Sequence, residues 1–448
     1  MSAEIITLGC RLNAAESEAM RAAAGDRDDL IIVNSCAVTN EAVRQARQAI
    51  RRAKAARPQA QVIVTGCAAQ VDPDMFAAMP EVARVVGNAE KLLSASFEGE
   101  RAGLPQAQAE RVLMDVPPSA RADPVEALSS RSSRIETTGQ QADILVSDIM
   151  AVRDMAPHLA VASSDQTRAF VAVQNGCDHR CTFCIIPYGR GPSRSVPAGM
   201  IVDRIKALVD HGVREVVLTG VDVTSYGPDL PGTPTLGHLV ERILHHVSSL
   251  QRLRLSSIDS VEIDARLEEI ICGDRRFMPH LHMSFQSGDD MVLKRMKRRH
   301  SRAQAIAAVA RLKARRPELA IGADLIAGFP TETDEMAANS LSLIDECDIV
   351  MGHIFPYSPK AGTPAARMPQ VPAPVIRERA RRLREAAARR RADWLRRLVG
   401  TRQRVLVERG GRGHAENFAP VRVARTAGEI VELTINGVED GMLTGVPA

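Results

Sequence analysis

The sequence predicts an α/β protein of three modules: an N-terminal α/β domain with a parallel sheet, a central partial barrel of six βα units, and a small C-terminal β-barrel. Two long stretches alternate short apolar runs with helical patterns, which is typical of parallel strands covered by helices. Residues 403–448 instead carry short strand patterns separated by glycine turns, and this pattern favours a small barrel.

The N-terminal module is predicted over residues 1–98. Three apolar runs, EIITLGC, DLIIVNSC and QVIVTGC, predict strands, and the helical patterns Ala14–Ala24 and Glu41–Ala56 fall between them. Residues 99–165 are dominated by Pro, Ser, Ala and Gln, so we expect a linker there.

The central module is predicted over residues 166–374, where six apolar runs alternate with helical patterns. The candidate strands are Phe170–Gln174, Glu215–Thr219, Leu253–Ser257, His280–Phe285, Ala320–Leu325 and Ile349–Phe355. Six βα units are too few for a complete eight-fold barrel, so we predict an open, partial one. Residues 375–402 follow as a strongly basic helix, which is either a solvated surface or a phosphate contact.

Composition restricts the class of protein. The 448 residues are 45% hydrophobic and 25% charged, the balance of a soluble globular protein. The net charge of +4 is compatible with a nucleic-acid partner, while the 3% aromatic content argues against an RNA surface built from stacked rings. The sequence shows no signal peptide and no membrane-spanning run, so we expect a cytoplasmic protein with reduced cysteines and no membrane partner.

Three cysteines lie close together after the first strand of the central module. Cys177, Cys181 and Cys184, here called the central triad, have the spacing C-x3-C-x2-C at a strand's C-terminal end, where the active sites of barrels lie. Three thiolates can hold three irons of a [4Fe–4S] cluster and leave the fourth iron open to another ligand. The alternatives are buried thiols or a zinc site completed by His179, and the long βα context argues against a small zinc module.

Three further cysteines each follow directly after a predicted strand of the N-terminal module. These are Cys10, Cys36 and Cys67, here called the N-terminal triad. Because the C-terminal ends of neighbouring parallel strands line one edge of a sheet, the three side chains can converge there. We therefore predict a second three-thiolate [4Fe–4S] cluster, with buried structural cysteines as the alternative.

The C-x3-C-x2-C motif, with Phe183 before its last cysteine, resembles the radical-SAM superfamily. The strings TLGCRLN, VNSCAVTNEA and TGCAAQ resemble the N-terminal domain of the methylthiotransferases, whose members also carry a radical-SAM barrel and often a small C-terminal barrel, here expected to be TRAM-like. The resemblance implies that an open iron binds S-adenosylmethionine, whose reductive cleavage yields a 5′-deoxyadenosyl radical. It also implies tRNA as a partner and an electron donor such as flavodoxin or ferredoxin.

Methylthiotransferases fall into three subtypes, which act on isopentenyl-adenosine in tRNA, threonylcarbamoyl-adenosine in tRNA or an aspartate of a ribosomal protein. The strings CIIPYGRGPSRSVP, CAVTNEA and GHAENF are most similar to the second subtype. The implied reaction converts N6-threonylcarbamoyladenosine at position 37 of tRNA into its 2-methylthio derivative. The other two substrates, and a non-enzymatic iron–sulfur protein that binds RNA, remain as alternatives.

The remaining candidate site residues lie at predicted strand ends of the central module or just beyond the central triad. The predicted S-adenosylmethionine contacts are Gly220, Asp222, Ser256, Gln286 and Asp324. A threonylcarbamoyl group carries a carboxylate that needs a cation when buried, so Arg190 and Arg194 are the predicted substrate-binding residues. The alternatives are ordinary turns, helix caps and local ion pairs.

Overall fold

The computed structural model describes residues 3–98, 142–153 and 167–448. Most of the predicted linker, residues 99–165, lies outside the described residues. The predicted fold class is confirmed: a parallel-sheet α/β domain, a partial barrel and a small closed barrel follow one another along the chain. None of the helices in the described ranges has the length and apolar character needed to cross a membrane.

The N-terminal domain has a parallel sheet of five strands that pair in chain order. Its strands are β1 Glu4–Thr7, β2 Leu30–Ser35, β3 Gln61–Gly66, β4 Arg84–Val86 and β5 Asp143–Leu145. Its helices are α1 Arg11–Ala24, α2 Asn40–Ala56, α3 Cys67–Val71 and α4 Pro73–Ala77. Every residue of β2 is buried, because apolar layers cover both faces of the sheet. The fifth strand comes from residues within the predicted linker.

The central domain is an open barrel of parallel strands. Its main strands are β6 Arg168–Ala172, β9 Glu215–Thr219, β10 Arg252–Leu255, β12 His280–Gln286, β13 Ala320–Ala327 and β14 Ile349–Pro356. Three short strands accompany them: β7 Gln174–Asn175, β8 Arg194–Ser195 and β11 Ser257–Ile258. The strands form two sheets, in the orders β10-β9-β6 and β11-β12-β13-β14, which a bridge between Leu253 and Phe277 connects.

Helices follow most strands of this barrel, and most of them cover its outer face. They are α5 Ile186–Arg190, α6 Ala198–Asp210, α7 Leu236–His246, α8 Ala265–Gly273, α9 Asp290–Met296, α10 Arg302–Arg315, α11 Asp334–Glu346 and α12 Ala373–Arg397. Alternate strand residues such as Leu281, Met283 and Phe285 pack into the main hydrophobic core beneath the helices. Since side chains alternate along a strand, the intervening His280 and His282 point to the lumen side.

The C-terminal domain is a closed barrel of five strands in the order β15-β16-β17-β19-β18. These are β15 Arg402–Glu408, β16 Arg412–Ala415, β17 Pro420–Arg422, β18 Ile430–Glu439 and β19 Met442–Pro447. Two buried arginines of the central barrel hold it in place. Arg252 donates to the carbonyl of Arg404 at 2.8 Å, and Arg254 donates to that of Glu416 at 2.9 Å. The small barrel therefore docks against the lumen end of the central domain.

Candidate active site

The N-terminal triad lies at one edge of the N-terminal sheet. Cys36 and Cys67 come immediately after β2 and β3, and Cys10 follows β1 in the turn that starts α1. Gly9 packs tightly against this arrangement, because a Cβ placed on it would lie 2.7 Å from the Cβ of Cys36. Its φ of +99° also favours glycine. The strand order thus brings the three predicted positions to neighbouring strand ends.

The central triad lies in the loop between β7 and α5. All three cysteines are half-buried residues, and Cys177 Sγ lies 3.8 Å from an oxygen of Asp222. On the other side of the loop, Arg298 Nη1 lies 3.8 Å from Cys181 Sγ. The triad therefore sits between the end of β9 and the segment after β12.

The two triads face one another across the domain boundary. Burial, with a smaller contribution from Cys181 and Cys67, raises the pKa of Cys184 to about 12. The guanidinium of Arg190, which ends the helix after the central triad, donates a hydrogen bond to Cys67 Sγ. A Cβ on Gly189, in the helix that follows the central triad, would lie 3.2 Å from the Cβ of Cys67.

The chemistry of these thiols suits a metal cluster. Burial, with smaller contributions from the nearby Cys67 and Cys10 thiols, raises the pKa of Cys36 to about 11. Burial likewise raises the pKa of Cys177 to about 12, with Asp222 adding to the effect. Several adjacent buried thiols can lose their protons together when a bound cation compensates the charge, which iron in a cluster does. The residues present therefore fit the group that the sequence predicts.

Arg190 joins the two triads. Its side chain is 1% exposed, and its guanidinium lies 2.6 Å from Glu16 and 3.1 Å from Cys67 Sγ. The side chains of Asn13 and Asn175 accept its other hydrogen bonds. All five of its N–H groups thus have partners within the protein, and a substrate carboxylate would have to displace one of them.

Glu16 and Lys91 complete this buried network. Lys91 Nζ lies 2.6 Å from Glu16, and both side chains are almost fully buried. Sequence reasoning missed both residues. The helical pattern could have indicated that Glu16 is buried, because it lies one helical turn from Leu12 and from Met20 on the apolar face of α1. The other predicted substrate residue, Arg194, donates to the carbonyl of Arg190 at 2.7 Å.

Gly220 and Asp222 follow β9, as predicted. A Cβ on Gly220 would lie 2.8 Å from the carbonyl oxygen of Gln174, so these two backbone segments approach each other closely. Asp222 accepts a hydrogen bond from Ser225 and contacts His179 Nε2 at 2.7 Å. Burial alone would raise the pKa of Asp222, but the hydrogen bonds from His179 and Ser225 lower it below its usual range. Asp222 is therefore a carboxylate beside the central triad.

Ser256 and Gln286 lie at strand ends, whereas Asp324 does not. Ser256 follows β10, and its buried hydroxyl has no hydrogen-bond partner within the described part of the chain. Gln286 ends β12 with a left-handed φ of 66°, a strained backbone conformation for any residue other than glycine. Asp324 lies inside β13, which continues past the predicted end to Ala327.

Asp324 is held by two histidines on the neighbouring strands. His282 Nε2 lies 2.9 Å from its carboxylate, and His353 Nδ1 lies 3.3 Å from it. Burial would raise the pKa of Asp324, but these two contacts bring it down to about 2. Asp324 is thus a lumen carboxylate with its own partners.

Comparison with known proteins identifies the family. Residues 171–344 match the radical SAM superfamily, and residues 2–87 match an uncharacterized protein family, UPF0004. The chain is 47% identical to threonylcarbamoyladenosine tRNA methylthiotransferase MtaB of Rickettsia prowazekii, over 98% of this chain and 96% of that one. The chain belongs to the threonylcarbamoyladenosine tRNA methylthiotransferase family. The predicted methylthiotransferase resemblance is thereby confirmed.

Other known proteins are similar at lower identity. The methylthiotransferase of this name from Aquifex aeolicus is 32% identical over 93% of the chain and 95% of its own length. A tRNA-2-methylthio-N(6)-dimethylallyladenosine synthase from Erythrobacter litoralis is 31% identical over 91% of the chain and 86% of its own length. Among solved structures, the radical S-adenosylmethionine methyltransferase TsrM of Kitasatospora setae is similar with a TM-score of 0.50 and 15% identity, covering 80% of this chain and 67% of that one. This last likeness concerns the fold alone.

Proposed function

We propose that this protein is an enzyme that converts N6-threonylcarbamoyladenosine at position 37 of tRNA into its 2-methylthio derivative. The observation that carries the proposal is the 47% identity to a threonylcarbamoyladenosine tRNA methylthiotransferase over nearly the whole of both chains. Relatives from five organisms carry this name, at 30% to 47% identity, and the most similar of these five exceeds the 31% identity to the dimethylallyladenosine synthase. The match to the radical SAM superfamily supports S-adenosylmethionine and an iron–sulfur cluster as cofactors.

The proposal includes two [4Fe–4S] clusters, one on each cysteine triad. Three observations support the count: the two triads belong to separate domains, each offers three thiols, and the two face each other. Three protein ligands leave one iron of each cluster open. Cys177, Cys181 and Cys184 would hold a cluster that would supply one electron for the reductive cleavage of S-adenosylmethionine, and the 5′-deoxyadenosyl radical so released would take the unactivated hydrogen from the adenine ring.

The chain's own residues then have the task of positioning. Asp222, a carboxylate beside Cys177, can accept from the ammonium group of S-adenosylmethionine. Three further residues at strand ends can contact S-adenosylmethionine: the backbone of Gly220 after β9, the unpaired hydroxyl of Ser256 after β10, and Gln286 at the end of β12. The contribution of Asp324 to this cofactor remains a prediction, since its carboxylate already has two histidine partners.

Arg190 and Glu16 position the two triads relative to one another. The guanidinium donates to Cys67 Sγ of one triad and belongs to the helix that follows the other. Because the reaction consumes electrons, the proposal also includes a one-electron donor protein such as flavodoxin or ferredoxin.

The decisive experiment measures the modified nucleosides directly. The anaerobically reconstituted enzyme is supplied with dithionite, S-adenosylmethionine and a sulfide source, and with tRNA that carries either the threonylcarbamoyl or the isopentenyl group. Mass spectrometry of the digested tRNA should show the 2-methylthio product with the first substrate. Efficient turnover of the isopentenyl form, with none of the threonylcarbamoyl form, would refute the proposed substrate.

A further inference from the structure

A cavity of about 340 Å³ lies on the lumen side of the central barrel, bordered by β12, β14, helix α12 and the C-terminal barrel. We call it the lumen pocket. Its polar wall comprises Arg11, His282, His353, Arg384 and Arg391. These residues come from the N-terminal domain, the central barrel and helix α12, while His414 and Phe418 of the C-terminal barrel also line the pocket. The positioning roles described above involve none of them.

Three arginines make the pocket cationic. Arg384 and Arg391 lie two turns apart on one face of α12, together with Ala387 and Ala388 of the same wall. Arg11 reaches in from the start of α1, directly after Cys10, and its guanidinium carbon lies 5.9 Å from the ring centre of Phe418. Arg11 therefore places one wall of the lumen pocket next to the N-terminal triad.

The pocket arginines differ from their neighbours on α12. Arg381 pairs with Glu378 and Glu385, and Arg390 lies 2.6 Å from Asp348. By contrast, neither Arg384 nor Arg391 forms an ion pair with an acid in the residues that the structure describes; Arg384 donates to the carbonyl of Ile354 at 3.2 Å. Burial lowers the pKa of Arg391 below its usual range, as expected of a partly desolvated cation without an anion.

The charge of the pocket favours an anion over a metal ion. His282, Asp324 and His353 have ligand atoms within 4.8 Å of one another, a set that can hold a divalent cation. However, the carboxylate already accepts contacts from both histidines, and the guanidinium groups on the surrounding walls repel a second cation. An anion instead gains attraction from Arg384 and Arg391, while Asp324 and Glu215 partly compensate the charge of Arg11.

The pocket is also close to the central triad. Ser284 is the next residue after His282 on the same side of β12, about 7 Å along the strand. Its carbonyl accepts a hydrogen bond of 2.7 Å from Arg298, whose other terminal nitrogen lies 3.8 Å from Cys181 Sγ. Ser284 and Arg298 therefore connect the pocket wall at His282 to the central triad.

We propose that the lumen pocket binds the carboxylate of the threonylcarbamoyl group on the substrate adenosine, with Arg384 and Arg391 as its cationic partners. This inference rests on the proposed function and names the element that selects the substrate. A carboxylate finds charge-assisted hydrogen bonds there. An apolar isopentenyl group would offer no anion to either guanidinium group and would further desolvate the half-buried Arg391, so the pocket discriminates against it.

The test isolates the charge of the carboxylate. Three RNA hairpins of anticodon stem-loop sequence carry threonylcarbamoyladenosine, its neutral methyl ester or unmodified adenosine, and their affinity for the reconstituted full-length enzyme is measured by fluorescence anisotropy without oxygen. The wild-type enzyme should bind the acid at least about tenfold more tightly than the ester, as expected for one charge-assisted hydrogen bond. This ratio should fall towards one in Arg384→Gln and in Arg391→Gln.

Arg389→Gln is the matched control, because Arg389 is an exposed arginine of the same helix outside the pocket wall. It should weaken all three hairpins equally, if at all, and keep the acid-to-ester ratio. The ratio is taken within one preparation, so the fraction of folded protein cancels.

Two results would overturn the inference. One is a wild-type ratio near one; the other is a ratio that both pocket variants retain, which would indicate attraction to backbone phosphates alone. Formation of the 2-methylthio product from threonylcarbamoyladenosine tRNA is measured separately. A product with no discrimination between acid and ester would refute the pocket and leave the proposed function intact, whereas absence of product would refute the function itself.

Discussion

Replacing Glu16 with glutamine should destabilise the contact between the first two domains more than any exposed acid-to-amide change on the same helix. Glu16 is fully buried and lies 2.6 Å from both Arg190 and Lys91. The substitution keeps the size of the side chain and removes its charge. Two buried cations then face each other without the anion that compensates them.

The expected magnitude follows from the burial. Removing one partner of a buried ion pair typically costs about 3–5 kcal/mol, because the remaining charge stays desolvated. An exposed pair on the same helix provides the control: Glu18 lies 3.7 Å from Arg21, and both side chains are partly exposed. Glu18→Gln should cost less than about 1 kcal/mol.

Hydrogen exchange is the appropriate assay, since a chain of several domains does not unfold in a single two-state step. The free energy of opening should fall by several kcal/mol for amides of β2 and β3 in Glu16→Gln and stay nearly unchanged in Glu18→Gln. The double variant Glu16→Gln with Lys91→Met should recover part of the loss, because one uncompensated charge is removed. Equal, small effects of the two single variants would refute the assignment of a tightly coupled network.

Three further outcomes are expected. Alanine at all positions of the central triad should remove about half of the iron and all cleavage of S-adenosylmethionine, measured by iron assay and chromatography of 5′-deoxyadenosine. Alanine throughout the N-terminal triad should retain that cleavage and abolish methylthio product; a folded variant without cleavage would show that the two sites are not separable. Burial would raise the pKa of Glu215, but Arg254 and Arg168 lower it from its ordinary value of 4.5 to about 2. The ionised Glu215 should therefore stabilise the folded protein at pH values above 4.5. That stabilisation should be lost as the pH falls from 4.5 towards 2, so acid unfolding followed by the fluorescence of Trp394 should be less steep in Glu215→Gln. An identical acid profile would contradict this assignment.

Much of the architecture could be predicted from local pattern. The apolar runs DLIIVNSC and QVIVTGC became Leu30–Ser35 and Gln61–Gly66, and the run around Glu215–Thr219 became a strand with the same bounds. The period of side chains along helices and strands is a local property, so it is visible in one sequence. Once the strands were predicted, the residues at their ends could be predicted too. For this reason the cysteines of both triads could be named from the sequence.

Partnerships between distant residues could not be predicted in the same way. An arginine beyond the central triad was expected to meet the substrate, yet Arg190 is bound by Glu16, 174 residues away along the chain. Asp324 was expected at a strand end, but the register of β13 against its neighbours places it between His282 and His353. Neither pairing can be recognised from a periodic pattern in the sequence, because each depends on how elements that are distant along the chain pack together.

The sequence by itself therefore determined the three modules, the two sets of thiols and the family, since each of these depends on local spacing and on which residues follow a strand. The tertiary structure alone decided which charges are buried together and which remain available. Electrostatic energy depends on distance and burial in space rather than on separation along the chain. For that reason the network of Arg190 and the lumen pocket, lined by residues as far apart as Arg11 and Arg391, became visible only once the domains were assembled.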